Sequence, residues 1–394
     1  MNKNILNTGV QVFIDNNLSA DILSVLLFKP AFDEISQKEL VQQIESKKKA
    51  QSKLPTWFKT PGIYYPNKLH IEQTSSEITA SYKSDLVGGK TLVDLTGGYG
   101  VDAFFFSQKM TKVFHCEWDD ELCQIVSHNS SILRVENMET HCIDGIEFLK
   151  NTDLKFDWIY VDPSRRDISK NKVYKLEDCT PNIAQHLELV FSRTDQLLLK
   201  TSPLLDITAG LLEFKQVQEI HVVSVNNEVK ELLWILKNGP GPKDLPIKTI
   251  NLTKKGNEVF NFYWQEEKRA TSDLSTPLRY LYEPNAALLK SGGFKILGAT
   301  LGLKKLQEHS HLYTSNTLIE FPGRTFEILQ VLPYNNKNIK VMKGKKANIT
   351  TRNFPETVAQ LRKQYKIFDG GDKYVFFTTD YIGERIFIQC RKII

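Results

Sequence analysis

The sequence is poor in the features that mark a secreted, membrane-spanning or metal-clasping chain. Its five cysteines, Cys116, Cys123, Cys142, Cys179 and Cys390, are scattered and form no C-x-x-C pair. That spacing speaks against a disulfide scaffold and against a zinc site, and leaves buried thiols in a reducing cytoplasm as the expectation. No window of eighteen residues is apolar and free of charge, so no membrane span is expected. The opening MNKNILNTGVQVFIDNN has no apolar h-region and no small-residue cleavage site, so no signal peptide is expected either. His309 and His311 are the one close histidine pair. Their i,i+2 spacing does not share a helix face, which argues for a surface or strand pair rather than metal ligands. No G-x-S-x-G elbow is present, which excludes the usual serine hydrolase arrangement. Internal repeats and low-complexity tracts are absent as well.

What is present begins with length. At 394 residues the chain is expected to form two or three domains, each large enough to bury a core. The net charge is only +5, but it is unevenly spread. Residues 334–394 hold thirteen Lys or Arg against five Asp or Glu, a net +8, which leaves −3 for the rest. A basic tail on a nearly neutral body suggests a polyanion as partner.

Residues 1–55 read as helical, with Ser36-Gln37-Lys38-Glu39 at capping-box spacing. Pro55, Pro61 and Pro66 punctuate a linker, and LHIEQTSSEITASYKSDLV reads as one helix leading into a sheet. From 91 to about 236, apolar strands near 91–95, 112–116, 140–143, 156–161, 196–200 and 219–224 alternate with helices near 101–109, 120–133 and 181–192. That alternation predicts a doubly wound α/β parallel sheet. Residues 247–264 read as a strand pair at its antiparallel edge. Beyond 272 the texture becomes α+β, with strands in TFEILQVL, YVFFTTD and RIFIQC and one helix in PETVAQLRKQY. The expected domains are an N-terminal helical region and linker (1–85), the nucleotide-type fold (86–268), a small ferredoxin-like module (269–322) and a basic module (323–394).

The stretch TLVDLTGGYGVD carries the chemistry. Gly97, Gly98 and Gly100 follow a buried strand, where a glycine turn permits positive φ and close backbone approach. Glu117 ends the second strand, at the place where an acid accepts hydrogen bonds from ribose hydroxyls. Asp144 follows the third and could hold an adenine amine. Asp94 stands before the loop, where it would repel a pyrophosphate but suit a cationic sulfonium. The fourth strand runs into VDPSRRD. Asp162 and the carbonyl of Pro163 are two fixed acceptors able to align an attacking amine or ring nitrogen. Arg165 and Arg166 could pair with phosphate, or bridge local acids such as Asp167. No cysteine lies in this turn to act as a nucleophile for carbon-5 pyrimidine chemistry. In the tail, Lys343, Lys345 and Lys346 form a basic cluster for RNA contact, while Tyr365, Phe368 and Tyr374 read as core.

DLTGGYGVD, the acids of HCE and HCID, and VDPSRRD together resemble class I S-adenosylmethionine-dependent methyltransferases. IEQTSSEITASYK, KTSPLLDI, VVSVNNEVKELLW, YLYEPNAALLK and FPETVAQLRKQYKIFDGGDKYVFFTT extend the likeness over most of 55–394. The match is to a group of uncharacterised proteins assigned to the RNA methyltransferases that carry a C-terminal THUMP-like domain. The resemblance implies S-adenosyl-L-methionine as cofactor. Gly98 and Gly100 align with the later loop glycines, with Thr96 in place of the first. Glu117 would hold the ribose and Asp144 the adenine, and Gln73 and Ser75 would cover the cofactor. Asp162-Pro163 aligns with the catalytic turn of amino-methyltransferases, where Ser164 and Arg165 replace the usual proline and aromatic residue. Trp57, Tyr99 or Tyr174 is expected to supply the missing ring. The reading is a cytoplasmic methyltransferase acting on tRNA or rRNA, with no metal and no membrane partner. The alternatives are an RNA-binding protein keeping the nucleotide fold as a scaffold, and a nicotinamide enzyme.

Overall fold

The structure, a computed structural model, describes residues 1–27, 32, 34–165 and 176–393. Arg166 and Tyr174 lie outside the described residues, as does the side chain of Arg165. The chain divides into two compact units, Met1–Gln218 with Leu233–Gly241, and Glu219–Leu232 with Pro242–Ile394.

The first unit opens with helices Thr8–Asn16, Ile22–Leu26, Gln37–Lys53 and Pro55–Lys59. Ser36 and Glu39 form the expected capping box on the third. The stretch expected as one helix is two, Lys68–Gln73 and Glu77–Ser84. The break has a local cause: Ser76 takes extended backbone and caps the second helix through the Thr79 amide. The apolar faces of this region do not form a core of their own. Ile44, Trp57, Tyr64 and Tyr65 pack in one cluster with Tyr99 and Val101 of the glycine turn and with Leu122 and Ile125. Trp57 and Tyr99 are 1 % and 3 % exposed. Neither can offer a face to a substrate base, which corrects the expectation that one of them supplies the stacking ring.

Five parallel strands follow: β1 (Thr91–Asp94), β2 (Lys112–Glu117), β3 (Met138–Cys142), β4 (Trp158–Val161) and β5 (Gln196–Thr201). Then come β6 (Val217–Val225) and β7 (Glu228–Lys237), joined by Asn226 and Asn227, both at positive φ. That pair makes a two-residue hairpin of the kind asparagine tolerates. β8 (Pro246–Leu252) pairs parallel with β6, and β9 (Glu258–Tyr263) antiparallel with β8. The hydrogen-bonded order is β9-β8-β6-β7-β5-β4-β1-β2-β3. Order reverses between β1 and β4, the switch point at which ligands bind in such sheets.

One cysteine expectation is overturned. Cys123 and Cys142 are disulfide-bonded, with Cα atoms 5.8 Å apart, and only Cys116, Cys179 and Cys390 are free and buried. Cys123 sits in helix Asp120–Ile132, the crossover from β2 to β3, and Cys142 ends β3. The crossover returns the two residues to each other over a sequence separation of 19, a proximity that no short-spacing motif registers.

In the second unit, seven strands form another sheet: β10 (Tyr280–Pro284), β11 (Lys304–Lys305), β12 (Tyr313–Ser315), β13 (Gly323–Pro333), β14 (Asn348–Arg352), β15 (Lys373–Thr379) and β16 (Arg385–Lys392). Their order is β11-β12-β10-β13-β16-β15-β14. Glu283, only 3 % exposed, faces Arg324 across the β10–β13 ladder and also takes Arg352 at 3.0 Å. Register places Arg352 beside Thr378, Ile386 and Pro333, at the opposite end of β13 from Arg324. Those nine residues of strand span about 30 Å at roughly 3.3 Å each, so the sheet must curl back on itself for the two arginines to share one carboxylate. Of the histidine pair, His309 is exposed in a turn, while His311 is half-buried and lies outside any strand. His311 takes a left-handed backbone and stacks on Phe294 with centroids 3.6 Å apart.

Candidate active site

The site is built at the C-terminal ends of β1, β2, β3 and β4. Gly97 lies directly over the buried His115 ring: a Cβ there would fall 2.2 Å from Nε2. Burial holds the His115 ring neutral, its pKa pushed down to about 4. Gly98 and Gly100 have φ of 54° and 77°, and Gly100 begins helix Val101–Ser107. A Cβ at Gly98 would meet only the Thr96 carbonyl, at 3.8 Å, so the turn opens outward there. The Gly98 amide donates to Glu117 Oε2 at 2.8 Å, and the Asp119 amide donates to Oε1 at 2.8 Å. The glycine turn and the acid of β2 are thus one hydrogen-bonded piece. Burial pushes the Glu117 carboxyl up, while those two amides oppose the rise.

Thr96, which stands where the family has its first glycine, ties two acids together. Its amide donates to Asp94 Oδ1 at 2.9 Å, and its hydroxyl accepts the Asp162 amide at 2.7 Å. Asp94 is 1 % exposed, and burial raises its pKa well above the ordinary carboxylate range. It accepts the Thr96 amide and so braces the turn. Asp162 keeps a partly exposed carboxylate, with Oδ2 ion-paired to Lys200 at the end of β5. Pro163 beside it is buried.

Ser75 is buried and donates to Asp102 Oδ2 at 2.8 Å. Lys83, wholly buried, bonds Ser75 at 2.8 Å and Asp102 Oδ1 at 3.1 Å, and the Tyr160 hydroxyl reaches Oδ2 at 2.9 Å. Burial raises the Asp102 carboxyl, but Lys83, Lys200 and the Ser75 hydroxyl outweigh it, so its pKa lies below the usual value. Asp144 caps helix Gly145–Asn151 through the Ile146 and Glu147 amides, at 2.8 and 3.1 Å. A Cβ on Gly145 would sit 2.2 Å from the Leu95 carbonyl, so only glycine lets that helix start against the end of β1.

The structure thus joins Gly97, Gly98, Gly100, Glu117, Asp94, Asp162 and Ser75 in one constellation, with Asp144 on the adjacent helix start. Gln73 is exposed at the end of its helix and makes no hydrogen bond to this group among the described contacts. Arg165 enters a two-residue ladder with Cys179 through its backbone. Lys343, Lys345 and Lys346 are exposed in the second unit. Sequence reasoning missed Thr96 as a link, Lys83 and Asp102 as a buried pair, and Lys200 as the partner of Asp162. It also missed Trp118, 76 % exposed directly after Glu117. Only Trp118 carried a signal, an aromatic following the ribose acid in HCEWDD.

The residues fit an adenosyl ligand: an outward-opening glycine turn, an acid bound to it, and an exposed indole alongside. Parallel strand order, the glycine turn and the acid on β2 define a Rossmann-like methyltransferase fold. Residues 280–322 match the model of a ferredoxin-like domain and residues 323–392 that of a THUMP-like domain. A solved structure of a Porphyromonas gingivalis W83 protein assigned to the methyltransferases aligns with a TM-score of 0.88 and 33% identity, over 100% of this chain and 99% of that one. An rRNA methylase from Streptococcus thermophilus aligns with a TM-score of 0.30 and 15% identity, over 41% of this chain and 94% of that one. TrmK from M. capricolum, in complex with S-adenosyl-homocysteine, aligns at 0.33 and 12%, over 42% and 70%. No curated protein matches the chain. The chain belongs to the class I S-adenosylmethionine-dependent methyltransferases, in the group that carries a C-terminal THUMP-like domain.

Proposed function

We propose that the protein methylates a base nitrogen of tRNA or rRNA, with the glycine turn holding S-adenosyl-L-methionine and the Asp162-Pro163 turn ordering the base. The observation that carries this reading is the hydrogen bond from the Gly98 amide to Glu117, at the switch point, with open space above Gly98. Gly97, Gly98 and Gly100 would lie along the adenosyl group, Glu117 would take the ribose hydroxyls and Asp144 the adenine amine through its free oxygen. Trp118 supplies an apolar face for the adenine. Bound there, the cofactor supplies an electrophilic methyl group.

The chain's own part is orientation and proton handling. Lys200 occupies Asp162 Oδ2, which leaves Oδ1 to accept from the attacking nitrogen. The Pro163 carbonyl is a second acceptor, stiffened by the ring. Two acceptors on one nitrogen fix its lone pair, and the Asp162 carboxylate is the one of the two able to take the proton it sheds, an advantage mainly in positioning. Arg165, Arg166 and the lysine cluster would contact the RNA backbone.

Calorimetric titration of S-adenosyl-L-methionine into wild type and Gly98→Arg tests the cofactor site. Saturable binding that the variant loses is expected, and no binding to wild type would sink the reading. Mass spectrometry of RNA nucleosides from a deletion strain tests the substrate: one methylated species should vanish. If none vanishes from any RNA class, the RNA assignment falls.

A further inference from the structure

One aromatic of the tail is not where the sequence argument puts it. Tyr365 and Tyr374 are half-buried, but Phe368 is 57 % exposed. A short parallel bridge pairs it with Lys346: the Phe368 amide donates to the Lys345 carbonyl and the Ala347 amide to the Phe368 carbonyl, both at 2.9 Å. The neighbours Ala347 and Ile367 are 0 % and 3 % exposed and pack in the core beneath, with Leu361 and Val375. Alternation therefore turns Lys346 and Phe368 to the solvent side together. Lys343, Lys345, Lys366 and Lys373 are exposed within five residues of this pair along the two segments. Of the two nearby acids, Asp369 is ion-paired to Arg362 and Asp372 is exposed. Gly344 and Gly370 flank the bridge at φ of 72° and 92°, and a Cβ on either would meet nothing within 4 Å.

A phenyl ring this exposed gains nothing from burial, and the surrounding ammonium groups make the patch a poor seat for an apolar partner. Ring plus lysines matches an unpaired nucleotide, whose base has a π-face and whose phosphates are anionic. A continuous duplex would present phosphates but no free base face. Resting on the RNA reading above, we infer that Phe368 is a stacking platform for one unpaired base of the substrate RNA, with Lys345 and Lys346 holding the adjoining phosphates. The RNA bound by this unit thus includes a single-stranded segment, a loop or an end.

The experiment uses the full chain, a fluorescently labelled twelve-residue oligouridine and a blunt twelve-base-pair RNA duplex, read by anisotropy. Phe368→Ala should weaken oligouridine binding about tenfold, within the range one stacked base contributes, and leave duplex binding within twofold. Phe368→Trp should keep the affinity, with its indole emission quenched when the oligomer is added. Lys345→Glu with Lys346→Glu should weaken both RNAs and flatten the salt dependence. Equal binding by Phe368→Ala and wild type, or equal loss on both RNAs, would overturn the platform while leaving the RNA methyltransferase reading intact. Failure of wild type to bind either RNA would overturn both. If Phe368→Ala instead turns a dimer into a monomer in sedimentation with RNA affinity unchanged, the ring is a self-association contact and the inference fails. Since the ring is exposed, thermal unfolding of the alanine variant should match wild type.

Discussion

Asp102→Asn is the sharpest test of how the first unit is held together. Asp102 sits in the first turn of the helix after the glycine turn and receives Lys83, Ser75 and Tyr160. The amide leaves the Lys83 ammonium, 0 % exposed, without its carboxylate. Breaking a buried pair from one side costs about 3–5 kcal/mol. For a unit of 150–250 residues each kcal/mol moves the unfolding midpoint by roughly 2–4 °C. Differential scanning calorimetry should therefore show the first unit's transition lowered by at least roughly 6–12 °C at pH 7. Lys83→Met should cost less, because Asp102 keeps the two hydroxyl donors. Lys83→Met with Asp102→Leu should recover much of the loss, since two apolar residues replace a pair that water no longer solvates. The pH dependence has a fixed sign. The folded Asp102 carboxyl lies below its ordinary value, so its contribution is present above the unfolded value of about 3.9 and disappears as pH falls through the folded one. The gap between wild type and Asp102→Asn should thus close below about pH 4. Single variants unfolding within about 2 °C of wild type, less than 1 kcal/mol by the same conversion, would refute the reasoning.

Four further outcomes are expected. Glu219 Oε1 lies 2.5 Å from His221 Nε2 and 2.6 Å from Lys248 Nζ; burial raises its pKa, but these partners draw it down to about 2. Its stabilising effect should therefore fade as pH drops from about 4.3 towards 2, and Glu219→Gln should flatten that part of the acid-unfolding curve followed by circular dichroism. Gly145→Ala forces a Cβ into the Leu95 carbonyl and should destabilise by about 1–3 kcal/mol or more, and the accompanying shift of Asp144 should weaken S-adenosyl-L-methionine binding in calorimetry. If Asp162 orders the base as proposed, Lys200→Met should lower the rate of methyl transfer far more than cofactor affinity, because Lys200 is paired to that carboxylate; equal losses in both would contradict this role. A non-reduced proteolytic digest should yield the Cys123 and Cys142 peptides joined, and reduction should lower stability by about 3 kcal/mol for a loop of this length.

The parallel strands were legible because each is a short, nearly continuous apolar run, and the glycine turn because three glycines have few other uses. Acids at strand ends followed from the same periodicity. The β6–β7 hairpin was half seen: Val217–Val225 is apolar, but EVKELLWILK has the spacing of a helix as much as a strand and was settled by pairing. Thr96, Lys83, Asp102 and Lys200 were invisible for another reason. Each matters through a partner 8 to 66 residues away, as in the bond from the Asp162 amide to Thr96, and no local pattern encodes such a pairing. Asp94 shows the converse. Its position was plain in the sequence, but its nearly complete burial was not, and burial is what raises its pKa. The disulfide belongs with these distant pairings.

The shared carboxylate of Glu283 has a practical corollary. A chain severed after residue 322, at the border between the two matched family segments, would leave the acid on one fragment and Arg324 and Arg352 on the other. One piece would carry an unpaired carboxylate and the other two guanidinium groups without their shared partner. The smallest excisable part of this region that remains electrically balanced therefore spans both segments, and anyone transplanting the THUMP-like segment onto another enzyme would need to take its neighbour along.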